Sequence, residues 1–86
     1  MSKILDAQRD HERIIIKKSL IGYTLDWYIG GELKKRMKAF KQKCKQTPNC
    51  NIYYPINSLN VESLIVYEDR GIAYFTVDEI NYEFYF

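Results

Sequence analysis

ELKKRMKAFKQKCK, residues 32–45, is the stretch whose reading decides the fold. Leu33, Met37, Phe40 and Cys44 recur at steps of 4, 3 and 4, the spacing of a single apolar stripe on a helix. At about 100° per residue, Lys34, Lys38, Lys41 and Lys45 share one cationic stripe beside that apolar seam. Lys35 points away from the core, and Arg36 and Lys43 flank the seam from the other side. Glu32 at the start and lysines toward the end suit the helix dipole.

Upstream, Gly30-Gly31 marks a turn, since two glycines inside a helix would cost about 1.5–2 kcal/mol relative to alanine. Before it, KILDAQRDHERIIIKK reads as a first helix over about 3–21, with Ser2 placed to cap it. The β-branched run Ile14-Ile15-Ile16 and the segment YTLDWYI support a strand pair as the competing reading. Downstream, Pro48 ends the second helix, and TPNCNIYYPINSLN forms a loop with one short extended piece at Ile52 to Tyr54. ESLIVYED, GIAYFTV and NYEFYF then read as three strands of an antiparallel meander, with Tyr82, Phe84 and Phe86 on one face of the last. The prediction is a single α+β domain: a helical half over about 3–46, a loop over 47–61 and a meander over 62–86. Two helices pack on one face of the three-stranded sheet.

Composition sets the function classes. Of 86 residues, 47% are apolar and 15% aromatic, enough for a small core and too apolar for disorder. Acidic residues interrupt the first eighteen positions, so no export signal is expected, and no apolar run is long enough to span a bilayer. The expectation is a cytoplasmic protein with no membrane partner. Cys44 and Cys50 are then expected as reduced thiols, with Cys44 in the core. A C-x5-C pair without nearby histidine is a poor metal site, so neither metal nor cofactor is expected. His11, the only histidine, has no carboxylate four residues away on either side, and no catalytic constellation emerges. The chain reads as a non-enzyme.

Charge is the most informative feature. The net charge of +2 hides an uneven distribution, because residues 33–61 hold seven bases and no acid while residues 62–86 hold six acids and one base. Like charges at i,i+4 repel within a helix, so a face that tolerates them is a candidate for an anionic partner. Tyr53 and Tyr54 follow directly, and tyrosine beside a cationic track is equipment for stacking unpaired bases. The expected function is non-catalytic nucleic-acid binding, RNA before DNA, through Lys34, Lys35, Arg36, Lys38, Lys41, Lys43, Lys45, Tyr53 and Tyr54. The alternative is a small inhibitor or antitoxin-like protein that blocks a partner enzyme through its acidic, aromatic half, with a homodimer as a further expectation. The composition also suits an accessory protein of a phage or mobile element.

Overall fold

The computed structural model describes residues 3–56 and 62–86. It contains eight strands: β1 (Lys3–Arg9), β2 (Glu12–Lys18), β3 (Tyr23–Ile29), β4 (Glu32–Lys43), β5 (Cys50–Pro55), β6 (Ser63–Tyr67), β7 (Ile72–Val77) and β8 (Ile80–Tyr85). Each pairs antiparallel with the next, and β8 returns to β1, so the sheet closes into a barrel. No described residue is helical.

This overturns the α+β expectation. The segment 32–45 is not a small basic helix; its residues 32–43 are the longest strand of the barrel, paired with β3 through Leu25↔Met37 and with β5 through Lys41↔Tyr53. Backbone hydrogen bonding on both sides outweighs a helix preference of a few tenths of a kcal/mol per residue. The expected first helix is likewise two strands joined at Asp10-His11, with Asp10 in the left-handed region. Ser2, assigned as its cap, lies outside the described residues, as does the 57–61 part of the expected loop. Two elements stand where the sequence puts them: the Gly30-Gly31 turn, where both residues have positive φ, and the final three strands.

Alternation along each strand builds the core. Leu5, Ala7, Ile14, Ile16, Leu25, Met37, Ala39, Tyr53, Leu64, Val66, Ala73, Phe75 and Phe84 are buried together inside the barrel. Phe75 sits edge-on to both Trp27 and Phe84, at 5.4 and 6.3 Å between ring centres. The interior is therefore filled by side chains, as is usual for eight strands.

The meander order gives the barrel two chemically distinct ends. The turns after β1, β3, β5 and β7 lie at one end, which carries Asp10, Glu12, Glu32, Glu62, Asp78 and Glu79. The turns after β2, β4 and β6 lie at the other, which carries Lys18, Lys41, Lys43, Lys45 and Arg70 against Glu68 and Asp69. Arg9, Lys34 and Lys35 also lie at the first end, so each end mixes both signs, the first with an excess of acid and the second with an excess of base.

Candidate functional site

Strand alternation divides the nine predicted contact residues among different surfaces. Arg36 and Lys38 lie on the outer face of β4, in the same row as Phe40. Lys34 is the extra residue where the β3–β4 register slips between Trp27 and Tyr28, and it is exposed. Lys35 reaches instead to the acidic end, where its Nζ lies 2.7 Å from Oε1 of Glu62, a carboxylate only 6% exposed. Arg36 is engaged as well: its Nε donates to Oδ1 of Asp26 at 2.8 Å, and Nη2 donates to Oδ2 at 3.2 Å. Asp26, fully buried under this guanidinium, also has Lys17 Nζ at 3.8 Å.

Tyr53 and Tyr54 point to opposite sides of the sheet. Tyr53 is 3% exposed and meets Tyr23 edge-on inside the barrel, at 5.3 Å. Burial pushes its phenol up to about 12, with Tyr23 and Glu68 adding to the effect. It is not available to stack on a base. Tyr54 lies on the outer face opposite Phe40. Phe40, assigned by the helical spacing to the core, is 51% exposed. The outer face of β4–β5 thus presents a Phe40–Tyr54 cross-strand pair beside Lys38, an aromatic pair that the helical reading concealed.

The basic end has its own geometry. Lys18 on β2 lies opposite Tyr23, and its Nζ is 4.6 Å from the centre of that ring. Lys41 approaches the same ring at 5.9 Å. These side chains, with Ile4, Leu5, Tyr53, Val66, Glu68 and Phe86, line an open cavity of about 530 Å³. Among the described residues, no carboxylate lies within ion-pair distance of Lys18, Lys38, Lys41, Lys43 or Lys45. Glu68, the acid in the cavity, accepts instead from Asn51 Nδ2 at 3.1 Å.

The acidic end is organised differently. Trp27 Nε1 donates to Glu12 at 3.1 Å, Arg9 lies 3.9 Å from the same carboxylate, and its guanidinium sits over Tyr82 at 5.1 Å. Glu12 and Glu62 are paired across the end of the barrel, whereas Asp10, Glu32, Asp78 and Glu79 are exposed and make no ion pair among the described residues.

Cys44 and Cys50 are joined as a disulfide, correcting the expectation of reduced thiols and of Cys44 as a core residue. The β4–β5 connection places Cys44 N 2.9 Å from Cys50 O and the two Cα atoms 5.2 Å apart, within bridging range. The bridge ties down the loop that carries Lys45. No group of three or more metal-ligating side chains occurs among the described residues, and no helix there is long and apolar enough to cross a membrane.

No protein-family model, curated protein or solved structure matches this chain.

Proposed function

We propose that the protein is a non-catalytic binder of single-stranded nucleic acid, RNA before DNA, that uses the outer face of β4 and β5. The observation that carries this reading is the half-exposed Phe40 beside Tyr54, in line with Lys38 and Arg36. Aromatic faces stack on unpaired bases, and neighbouring cations hold the phosphates between them. Lys34 and Lys38 supply charge not already committed to a carboxylate among the described residues, whereas Lys35 and Arg36 are held by Glu62 and Asp26. A sheet surface lacks the protruding element that reads the major groove of a duplex, which favours single strands.

The test is binding to an unstructured RNA, the matching single-stranded DNA and a duplex at two salt concentrations. Phe40→Ala and Tyr54→Ala should each weaken RNA binding by about 1–3 kcal/mol with little change in salt dependence. Changing Lys34 and Lys38 to glutamine should lower the slope of log K against log salt by roughly 0.7 per lost contact. Equal affinity of parent and Phe40→Ala for RNA would remove the proposal.

The cytoplasm is the setting in which such a protein meets RNA. The Cys44–Cys50 disulfide pulls against that setting, because reducing compartments keep thiols open.

A second reading rests on the opposite outer face. Tyr67 and Tyr74 meet edge-on at 5.8 Å across β6 and β7, Arg70 covers Tyr67 at 5.1 Å, and Tyr85 on β8 donates to Glu83 at 2.6 Å. A cluster of tyrosines beside an acidic side chain forms a surface suited to a basic protein partner, the inhibitor-like alternative. Loss of a captured partner on Tyr74→Ala, with RNA binding unchanged, would favour it.

A further inference from the structure

The β2–β3 turn carries the most exposed large apolar side chains of the described barrel. Leu20 and Ile21 are 106% and 83% exposed. Turn tips ordinarily use glycine, asparagine, aspartate or serine, which meet water without cost. Here the polar residues sit at the base and the apolar ones at the tip. The tip is also preformed: Ser19 N donates to Gly22 O at 3.1 Å, and the Ser19 hydroxyl donates to the Ile21 carbonyl at 3.0 Å. Gly22, at φ +78°, lies so close to β4 that a Cβ there would stand 2.9 Å from the Ala39 carbonyl oxygen. The turn is held against the barrel while its two apolar side chains project into solvent.

The unpaired cations of the basic end lie at the same end of the barrel as that tip. Lys18 immediately precedes the turn, and Lys41 stands across Tyr23 from it. Lys43 and Lys45 lie at the same end, on β4 and the disulfide-closed loop. Ile4 and Phe86, 45% and 46% exposed, add apolar surface beside the cavity between Lys18 and Lys41. Two acids, Glu68 and Asp69, share this end with Lys18, Lys41, Lys43, Lys45 and Arg70, and Glu68 already accepts from Asn51, so the end stays net positive toward an anionic plane.

We propose that the basic end docks onto an anionic lipid surface, with Leu20 and Ile21 entering the interface and Lys18, Lys41, Lys43 and Lys45 meeting lipid phosphates. Exposed apolar groups at the same end as several lysines gain twice at such a surface, once by leaving water and once by electrostatic attraction to the headgroups. Neither gain alone holds a protein firmly, and the two together fall off steeply with salt or with loss of either part. The tip side chains reach only the headgroup boundary, so this is attachment and not spanning. This surface adjoins the Phe40–Tyr54 face proposed for RNA, since Gly22 packs on Ala39 beside Phe40, but it uses different side chains.

The test is cosedimentation of the full chain with vesicles of pure phosphatidylcholine and of phosphatidylcholine with 30% phosphatidylglycerol, the latter at about 0.05 and 0.5 M salt. Binding is expected to the anionic vesicles at low salt, at least tenfold stronger than to neutral ones. Leu20→Ser with Ile21→Ser should weaken it tenfold or more, as should Lys18→Gln with Lys41→Gln. Both pairs alter exposed positions, and an unchanged unfolding curve confirms that the barrel is intact. A Leu20→Trp variant supplies the depth readout: its emission should shift to the blue with anionic vesicles relative to the parent, whose Trp27 lies at the opposite end. Binding that ignores the Leu20/Ile21 pair, equal binding to neutral vesicles, or no blue shift would overturn the proposal. So would a tip-dependent dimer that binds no vesicles, which would assign the apolar tip to a second copy. RNA affinity should be unaffected by Leu20→Ser with Ile21→Ser and reduced by Phe40→Ala, so either proposal can fail without the other.

Discussion

The two ends of the barrel are built from the same strands and differ in what their charges do. At the acidic end, Lys35 is spent on buried Glu62, and Glu12 takes the Trp27 indole with Arg9 beside it. At the basic end, Lys18 and Lys41 contact only the face of Tyr23, and Lys43 and Lys45 have no carboxylate within ion-pair distance among the described residues. The paired end closes the core. The unpaired end keeps four positive charges in water beside exposed apolar groups, with only the Tyr23 face as a structural partner for two of them. Charge committed to structure and charge left for a partner can thus be told apart in one small molecule.

The largest effect would erase the contrast altogether. Phe75 is fully buried and touches Trp27 toward one end and Phe84 alongside it. Phe75→Ala should cost about 3–5 kcal/mol, a large share of the stability of a chain this size, measured by urea unfolding. Loss of only one end's spectroscopic signal would show that the two halves of the core unfold separately.

Next comes the paired end. Lys35→Met keeps the aliphatic stem and strips Glu62 of its ion-pair partner, which should cost about 3 kcal/mol, the low end for a buried carboxylate left alone because Lys35 is itself half-exposed. The matching change at the basic end, Lys43→Gln with Lys45→Gln, should leave the unfolding midpoint where it is. Equal losses at the two ends would mean that the unpaired lysines are structural after all.

The same contrast explains what the sequence discloses. NYEFYF reads correctly as a strand because Tyr82 and Phe84 face inward while Glu83 and Tyr85 face outward, a clean period of two. In β4 only Met37 and Ala39 of twelve residues are buried. The inward positions beyond them are Lys35 and Lys41, whose heads leave by opposite ends of the barrel. Lysine at an inward position hides the alternation, and the accidental 4, 3, 4 spacing of Leu33, Met37, Phe40 and Cys44 takes its place. Two of those four, Leu33 and Phe40, are exposed. The first thirty residues failed for a related reason: Ile15, on the outer side, is as apolar as Ile14 and Ile16 inside, because it is covered between neighbouring strands. An uninterrupted apolar run carries no period. The polarity of charge was legible, and its direction along a barrel axis was not, since that depends on which turns share an end.

Acid should reach the outer surface of β1 and β2 before the core. The Arg13 guanidinium, which engages both oxygens of Asp6, holds that carboxyl below its usual range; burial opposes it less strongly, and Lys3 adds a lesser lowering. A depressed folded value means that this stabilisation is complete above the unfolded value of about 3.9 and is lost as pH falls below it. Asp6→Asn should therefore unfold more easily than the parent at pH 6 and converge with it toward pH 2, followed by urea midpoints. Curves that stay parallel down to pH 2 would show the pair to be fully screened by water.

The smallest effect probes how firmly the rim beneath the unpaired lysines is packed. Tyr53 is 3% exposed, and its phenol is pushed up to about 12 by burial, with Tyr23 and Glu68 adding to the rise. In the unfolded chain the same group titrates near 10. A raised folded value means that the stabilisation from keeping the proton is fully present below about pH 10 and is lost as pH climbs toward 12. Tyr53→Phe has no proton to lose at this position. The stability difference between parent and variant should therefore be constant from pH 7 to about 10 and then move against the parent by pH 12. Lysines also titrate in this window, but they do so in both proteins and cancel in the comparison. Denaturant unfolding of the two proteins at matched pH values measures it. If the difference stays flat through pH 12, water already reaches Tyr53 from the open cavity, and the basic end is loose to the depth of its second tyrosine. A downward break would instead place the boundary between wet and dry barrel just above Tyr53, with Lys18 and Lys41 outside it and free to meet a partner.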